Sequence, residues 1–214
     1  MLKIESLVKA YGTNIILNCL SAAFLPGRIY GIVGLNGAGK TTLFQCVCGL
    51  GDYNGQIYDA RFPNLKDHIG YVPTEPYFFP RIKGSEYLAF IRHARGVPHV
   101  ADDFTFGLPL NEYIDNYSTG MKRKIAFLGA MIGSSEIYIF DEPFNGVDIK
   151  SNLLLKQKIM EFRDAGKIIL LSSHILSSLL EISDEVLLLK DGIFGFHYLP
   201  GNFDRVENDM IGML

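Results

Sequence analysis

The stretch GIVGLNGAGKTT, residues 31–42, decides the fold. The apolar run Ile29–Gly34 predicts a β-strand, and the text beyond Lys40 predicts a helix, with a glycine-rich turn between them. Gly34, Gly39, Lys40 and Thr41 stand at the spacing G-x-x-x-x-G-K-[ST]. Such glycines let the backbone N–H groups of a loop curl round a phosphate chain at a helix N-terminus, where the dipole favours anions. Asn36, Gly37, Ala38 and Thr42 belong to that cradle. Lys40 can reach β- and γ-phosphates, and the Thr41 hydroxyl can ligate Mg²⁺. A chance glycine turn needs neither a strand before it nor a helix after it. The sequence predicts a nucleoside triphosphate site.

About a hundred residues on, IYIFDEP (137–143) is an apolar strand ending in two acids. A buried strand delivers Asp141 to its C-terminal edge, where ligands collect in open α/β sheets. There Asp141 can hold Mg²⁺ through water, and Glu142 can act as general base on an attacking water. Two solvated acids after a core strand would be the plainer reading, but a phosphate loop elsewhere in the chain weighs against it. LLSSH (170–174) ends another strand at His174, suited to a γ-phosphate or the attacking water. His68, His93, His99 and His197 have no such setting and are read as structural.

Composition bounds the rest. The 214 residues are 48% hydrophobic and 20% charged, with a net charge of −3, as in ordinary globular proteins. No broad cationic face is expected, which argues against nucleic-acid binding. No stretch approaches the ~20 apolar residues that span a bilayer, and the N-terminus lacks a signal-like apolar run. A cytosolic chain is expected, and its slightly positive mean hydropathy suits one that covers some surface with a partner. Three cysteines, an odd count, suit a reducing compartment. Cys46 and Cys48 read as small buried hydrophobes, since no Cys/His pair elsewhere completes a metal site.

Short runs rich in Ile, Val and Tyr alternate with helical patterns, predicting an α/β fold with a mostly parallel sheet. The strands expected are Ile29–Gly34, His68–Val72, Ile137–Phe140, Lys167–Ser172 and Glu185–Leu189. Ser151–Ala165 is read as a helix capped by Asp148 and stopped by Gly166, and Asp191-Gly192 as a hairpin turn. Residues of about 76–117, with one helical pattern at Ser85–Arg95, read as a small insert. The core is then 1–75 and 118–214.

These motifs, in this order, resemble the ATP-binding cassettes of ABC transporters, from Tyr11 to about Phe196. The resemblance implies a P-loop core with an N-terminal antiparallel β element and a shortened helical subdomain. It implies a Mg²⁺-dependent ATPase, with ATP as the nucleotide, on the cytoplasmic face of a membrane beside an integral permease. Tyr11 matches the aromatic that stacks on adenine, His174 the switch histidine, and Phe144–Asp148 the D-loop. YSTGM (117–121) lies where the signature LSGGQ belongs. By that resemblance Ser118 and Gly120 bind the γ-phosphate held by a second subunit in a head-to-tail dimer, expected to be a homodimer. Tyr117, Thr119 and Met121 depart from the signature, and Thr74 stands where the family has a glutamine near the metal.

A soluble ATPase of the same type, acting on a protein assembly, is the alternative; a P-loop kinase fits less well because it needs an acceptor site. Tyr77, Phe78 and Phe79 form an aromatic run expected either to dock the permease or to pack inside the insert.

Overall fold

The computed structural model describes residues 1–98 and 105–212; His99 lies outside them. The chain opens with β1 (Leu2–Tyr11) and β2 (Asn14–Phe24), an antiparallel pair, then enters the core through β3 (Arg28–Val33). Helix α1 (Lys40–Val47) and β4 (Asn54–Asp59) follow, and β4 returns to the other edge of β1. Next come β5 (Ile69–Val72), α2 (Gly84–Ala94), α3 (Thr119–Met131), β6 (Ile137–Asp141) and α4 (Ile149–Asp164). The chain closes with β7 (Ile168–Ser172), α5 (Leu176–Ile182), β8 (Glu185–Lys190), β9 (Ile193–Tyr198) and α6 (Asp204–Ile211).

The central sheet has the order β5-β6-β7-β3-β8-β9, parallel except for β9, which is antiparallel to β8. Each inner strand is buried on both faces, as expected where helices cover a parallel sheet. Strand alternation assigns its residues to two cores. Tyr138 and Phe140 of β6 face a cluster with Phe127 and Leu179, while Ile137 and Ile139 face one with Leu43, Phe44 and the N-terminal strands. Phe127 of α3 stacks on Phe140 with ring centroids 4.9 Å apart, which fixes that helix over the sheet. A third cluster joins Leu88 of α2 to Ile125 and Leu128 of α3 and Ile132 just beyond it, together with Ile114 and Tyr117.

The strands and helices read from sequence are present, with ends shifted by a residue or two. His68 belongs to a short 3₁₀ turn, Leu65–His68, closed by Ile69 N donating to the Lys66 carbonyl, so β5 starts one residue later. Asp148 does cap α4, accepting from Ser151 N at 2.9 Å, so that helix starts two residues earlier than its apolar pattern suggests. Asp191 and Gly192 turn the final hairpin with φ of 50° and 77°, as a type I′ turn requires. Cys46 is buried, Cys48 half-buried and Cys19 exposed; all three are free thiols, and burial pushes Cys48 up to about 12.

β3 lies so close to α5 that residue 31 has no room for a side chain. A methyl group on Gly31 would sit 2.4 Å from Leu179 Cδ2 and 2.8 Å from Ser183 Oγ. Gly31→Ala should therefore cost about 1–3 kcal/mol of stability through overpacking, read as a lower denaturant midpoint. Adding Leu179→Ala should give a double variant more stable than the two single losses sum to. An unchanged midpoint in Gly31→Ala would contradict this packing.

Candidate functional site

Between β3 and α1 the loop bends at Gly37 and Gly39, whose φ angles of 82° and 103° suit glycine and few other residues. Gly39 is the N-cap of α1, so that helix points its N-terminus and unpaired N–H groups into the loop. Lys40 lies almost buried under it. Its Nζ donates to the carbonyls of Gly34 at 2.7 Å and Leu35 at 3.2 Å. Burial pushes the Lys40 pKa down, opposed by the nearby Glu142 and Asp141 carboxylates.

Two strands away, β6 ends at Asp141. Thr41 Oγ1 donates to Asp141 Oδ2 at 2.6 Å, and Ser172 Oγ, at the end of β7, donates to Asp141 Oδ1 at 2.6 Å. The parallel register sets this up by pairing Asp141 with Ser172. Ser172 Oγ also accepts from Glu142 N at 3.1 Å. Sequence reasoning gave Ser172 no role. Its part depends on β7 pairing with β6, which no local pattern in the sequence shows.

Glu142 has a left-handed backbone, with φ of 56°, which costs a non-glycine residue on the order of 1–3 kcal/mol. The turn sends its side chain inward. Oε2 accepts from His174 N at 2.8 Å; Oε1 lies 3.3 Å from His174 Nε2, yet is buried and has no hydrogen-bond partner. Burial raises the Glu142 pKa, partly offset by His174 and Lys40. A buried, underbonded carboxylate is poised to accept a proton.

These groups line one open cavity of roughly 370 Å³: Asn36, Gly37, Gly39, Lys40, Thr41 and Thr42 from the loop and α1, Asp141, Glu142 and His174 from the sheet edge, and Tyr11, Ile16 and Thr74 around the rim. Tyr11 is about half exposed, and Lys9 Nζ lies 4.8 Å from its ring centroid. Ala38 lines a neighbouring cavity of roughly 490 Å³ that lacks Lys40 and the paired acids. The chemistry therefore belongs to the smaller space. Gly34 starts the loop without lining either cavity.

Ser118 and Gly120 are not in this cavity. Ser118 is the exposed N-cap of α3, accepting from Met121 N at 3.3 Å. Gly120 has a reason of its own to be glycine, since a methyl group there would sit 2.6 Å from the Gly146 carbonyl oxygen. That contact presses the start of α3 against the turn after Glu142.

The ABC transporter family matches residues 17–145. An uncharacterized ABC transporter ATP-binding protein of Methanocaldococcus jannaschii is 32% identical over 201 residues, covering 89% of this chain and 74% of its own. The lantibiotic transport ATP-binding protein SrtF of Streptococcus pyogenes is 29% identical over 217 residues, covering 97% of this chain and 93% of its own. A solved structure described as the ATP-binding subunit of an ABC transporter superposes with a TM-score of 0.82 at 25% identity, covering 99% of this chain and 95% of that one. With the phosphate loop, the acid pair and the fold all in agreement, this chain belongs to the ABC transporter family, among its ATP-binding proteins.

Proposed function

We propose that the chain binds and hydrolyses ATP to drive a separate integral membrane permease, docked on its cytoplasmic face. The observation that carries this reading is Glu142 Oε1, a buried carboxylate oxygen without a hydrogen bond in the same cavity as Lys40, Thr41 and Asp141. Among the described residues, no helix is long and apolar enough to cross a membrane.

The triphosphate lies along the loop N–H groups, and its oxygens replace the Gly34 and Leu35 carbonyls as partners of Lys40 Nζ. Tyr11 stacks on the base. Thr41 and Asp141 suit Mg²⁺, because a hydroxyl and a carboxylate 2.6 Å apart are the hard oxygen donors that ion prefers. Bound there, Mg²⁺ would offset charge on the β- and γ-phosphates. Glu142 Oε1 takes the proton of the attacking water while His174 N holds Oε2, and the His174 ring steadies the water and the γ-phosphate. Ser118 and Gly120 of a second copy close over the nucleotide in a head-to-tail homodimer. That fits a serine exposed at a helix N-terminus and outside the lining of the chain's own cavity. Residues of about 76–117 form the insert that meets the permease.

Glu142→Gln should bind ATP normally and lose about 10²–10⁴-fold in turnover, the usual worth of a positioned base. Size-exclusion chromatography with ATP and Mg²⁺ should show the variant as a stable dimer. Wild-type turnover in Glu142→Gln would remove Glu142 as the base.

The aromatic run divides by alternation in an extended stretch. Tyr77 and Phe79 are exposed at 76% and 54%, and Phe79 meets the exposed Phe90 edge-on at 6.0 Å. Phe78 turns inward onto Tyr87 at 5.1 Å. The docking surface is therefore Tyr77, Phe79 and Phe90, with Phe78 as packing. Tyr77→Ser with Phe79→Ser should cut co-purification with the permease while leaving thermal stability and basal ATPase activity near wild type. Phe78→Ser should instead lower stability. Undiminished co-purification of the double variant would overturn the assignment.

A further inference from the structure

Arg123 has no role in the chemistry described above, yet it is a buried cation lying among three functional segments. It sits one turn into α3 with 8% of its surface exposed. Nη2 donates to the Thr74 carbonyl at 3.3 Å, on the loop that follows β5 and borders the nucleotide cavity. Nη1 faces the turn after the acids, 3.7 Å from where a methyl group on Gly146 would stand. Both Nε and Nη1 are buried without a hydrogen-bond partner. No carboxylate forms a close ion pair with it among the described residues, although Glu142 and Glu75 are near enough to oppose the effect of its burial on its pKa.

A guanidinium carries five donors in a fixed fork, and burying two nitrogens unpaired is costly enough to require a reason. The fork's geometry supplies one. It holds the Thr74 loop with one arm and turns another toward the Gly146 turn, while its backbone belongs to the helix that Ser118 caps. The Gly146 turn is in turn pressed against Gly120. Segments that border the nucleotide cavity and the helix end that carries the signature are thus joined through one rigid plane.

We propose that Arg123 is a positioning residue that couples the Thr74 loop and the Glu142–Gly146 turn to the signature helix. A shift of that loop when nucleotide enters thereby changes how Ser118 is presented to a partner subunit. The unpaired Nε and Nη1 donors find their acceptors in the shifted arrangement. The inference rests on the proposed head-to-tail dimer, and its mechanical part lies wholly within this chain. Thr74 is held through its backbone carbonyl, so the link does not depend on the glutamine side chain that the family resemblance would supply there. A lysine cannot replace this function fully, because one ammonium cannot reach both segments as a planar fork does.

The test compares Arg123→Met and Arg123→Lys with wild type in three measurements: binding of a fluorescent ATP analogue to the monomer, kcat and KM for ATP hydrolysis, and ATP-driven dimerisation in the Glu142→Gln background. Arg123→Met should bind the analogue within twofold of wild type, lose about 30-fold in kcat with little change in KM, and need at least tenfold more protein to dimerise. Arg123→Lys should recover part of this, to about a fivefold loss in kcat. Wild-type kcat and dimerisation in Arg123→Met would overturn the proposal. So would a loss of analogue binding as large as the loss of kcat, which would make Arg123 part of the pocket itself. Should Arg123→Met fail to fold, the Lys variant decides alone: a fivefold loss at unchanged analogue affinity supports coupling, and wild-type kcat refutes it. Failure of the wild-type chain to hydrolyse ATP or of Glu142→Gln to dimerise would instead strike the proposed function.

Discussion

The Asp141 carboxylate is the joint on which the rest of the site depends. The strand feeding the phosphate loop and the strand carrying the acids are not neighbours, because β7 lies between them. Two strand spacings, about 9–10 Å, separate them. The gap is closed from both sides. Thr41 reaches Asp141 from the first turn of α1, and Ser172 reaches it from the end of β7, each at 2.6 Å. Ser172 then accepts from Glu142 N, so one chain of hydrogen bonds sets the loop, the carboxylate and the base in fixed relation. Such a network is strong when fully satisfied, as it is at Asp141.

One residue later the same network carries strain. Glu142 sits in the left-handed region, is nearly buried and leaves Oε1 unbonded. Lys40 spends its donors on its own loop, and Arg123 has two nitrogens without partners. The unmet Glu142 and Arg123 atoms lie around the segments that the proposed nucleotide and its partner subunit would engage. The rest of the fold supports the strain with a dense double core, in which Phe127 stacked on Phe140 holds α3 to the sheet behind the acids.

Much of this was legible in the sequence because it is local. The phosphate loop needs glycines and a lysine at fixed separations, and a buried strand ending in acids reads from its composition alone. The hairpin at Asp191-Gly192 and the Asp148 cap are similarly short-range. What depends on tertiary neighbours could not be read. The role of Ser172 requires knowing that β7 pairs with β6, and the burial of Arg123 requires knowing what α3 leans on. Gly120 looked like a ligand-contact glycine, and it also has to yield to the Gly146 carbonyl across a fold contact. Phe78 reads like its aromatic neighbours until alternation in an extended stretch turns it alone inward. Strand ends shifted by a residue because backbone hydrogen bonds, not hydrophobicity, decide where pairing stops.

In the proposed dimer a complete ATP site takes its phosphate loop from one subunit and its signature from the other, and mixing two inactive variants shows whether it does. Lys40→Ala disables a phosphate loop, and Ser118→Arg puts bulk and charge where a hydroxyl should meet the partner's γ-phosphate. In the mixed dimer one site carries both lesions and the other carries neither. Once the wild-type chain is shown to hydrolyse ATP alone, mixing the two inactive proteins should restore a measurable part of that activity. Silence in that mixture, while wild type in large excess of Lys40→Ala keeps its activity per wild-type chain, would return Ser118 to its own subunit's chemistry.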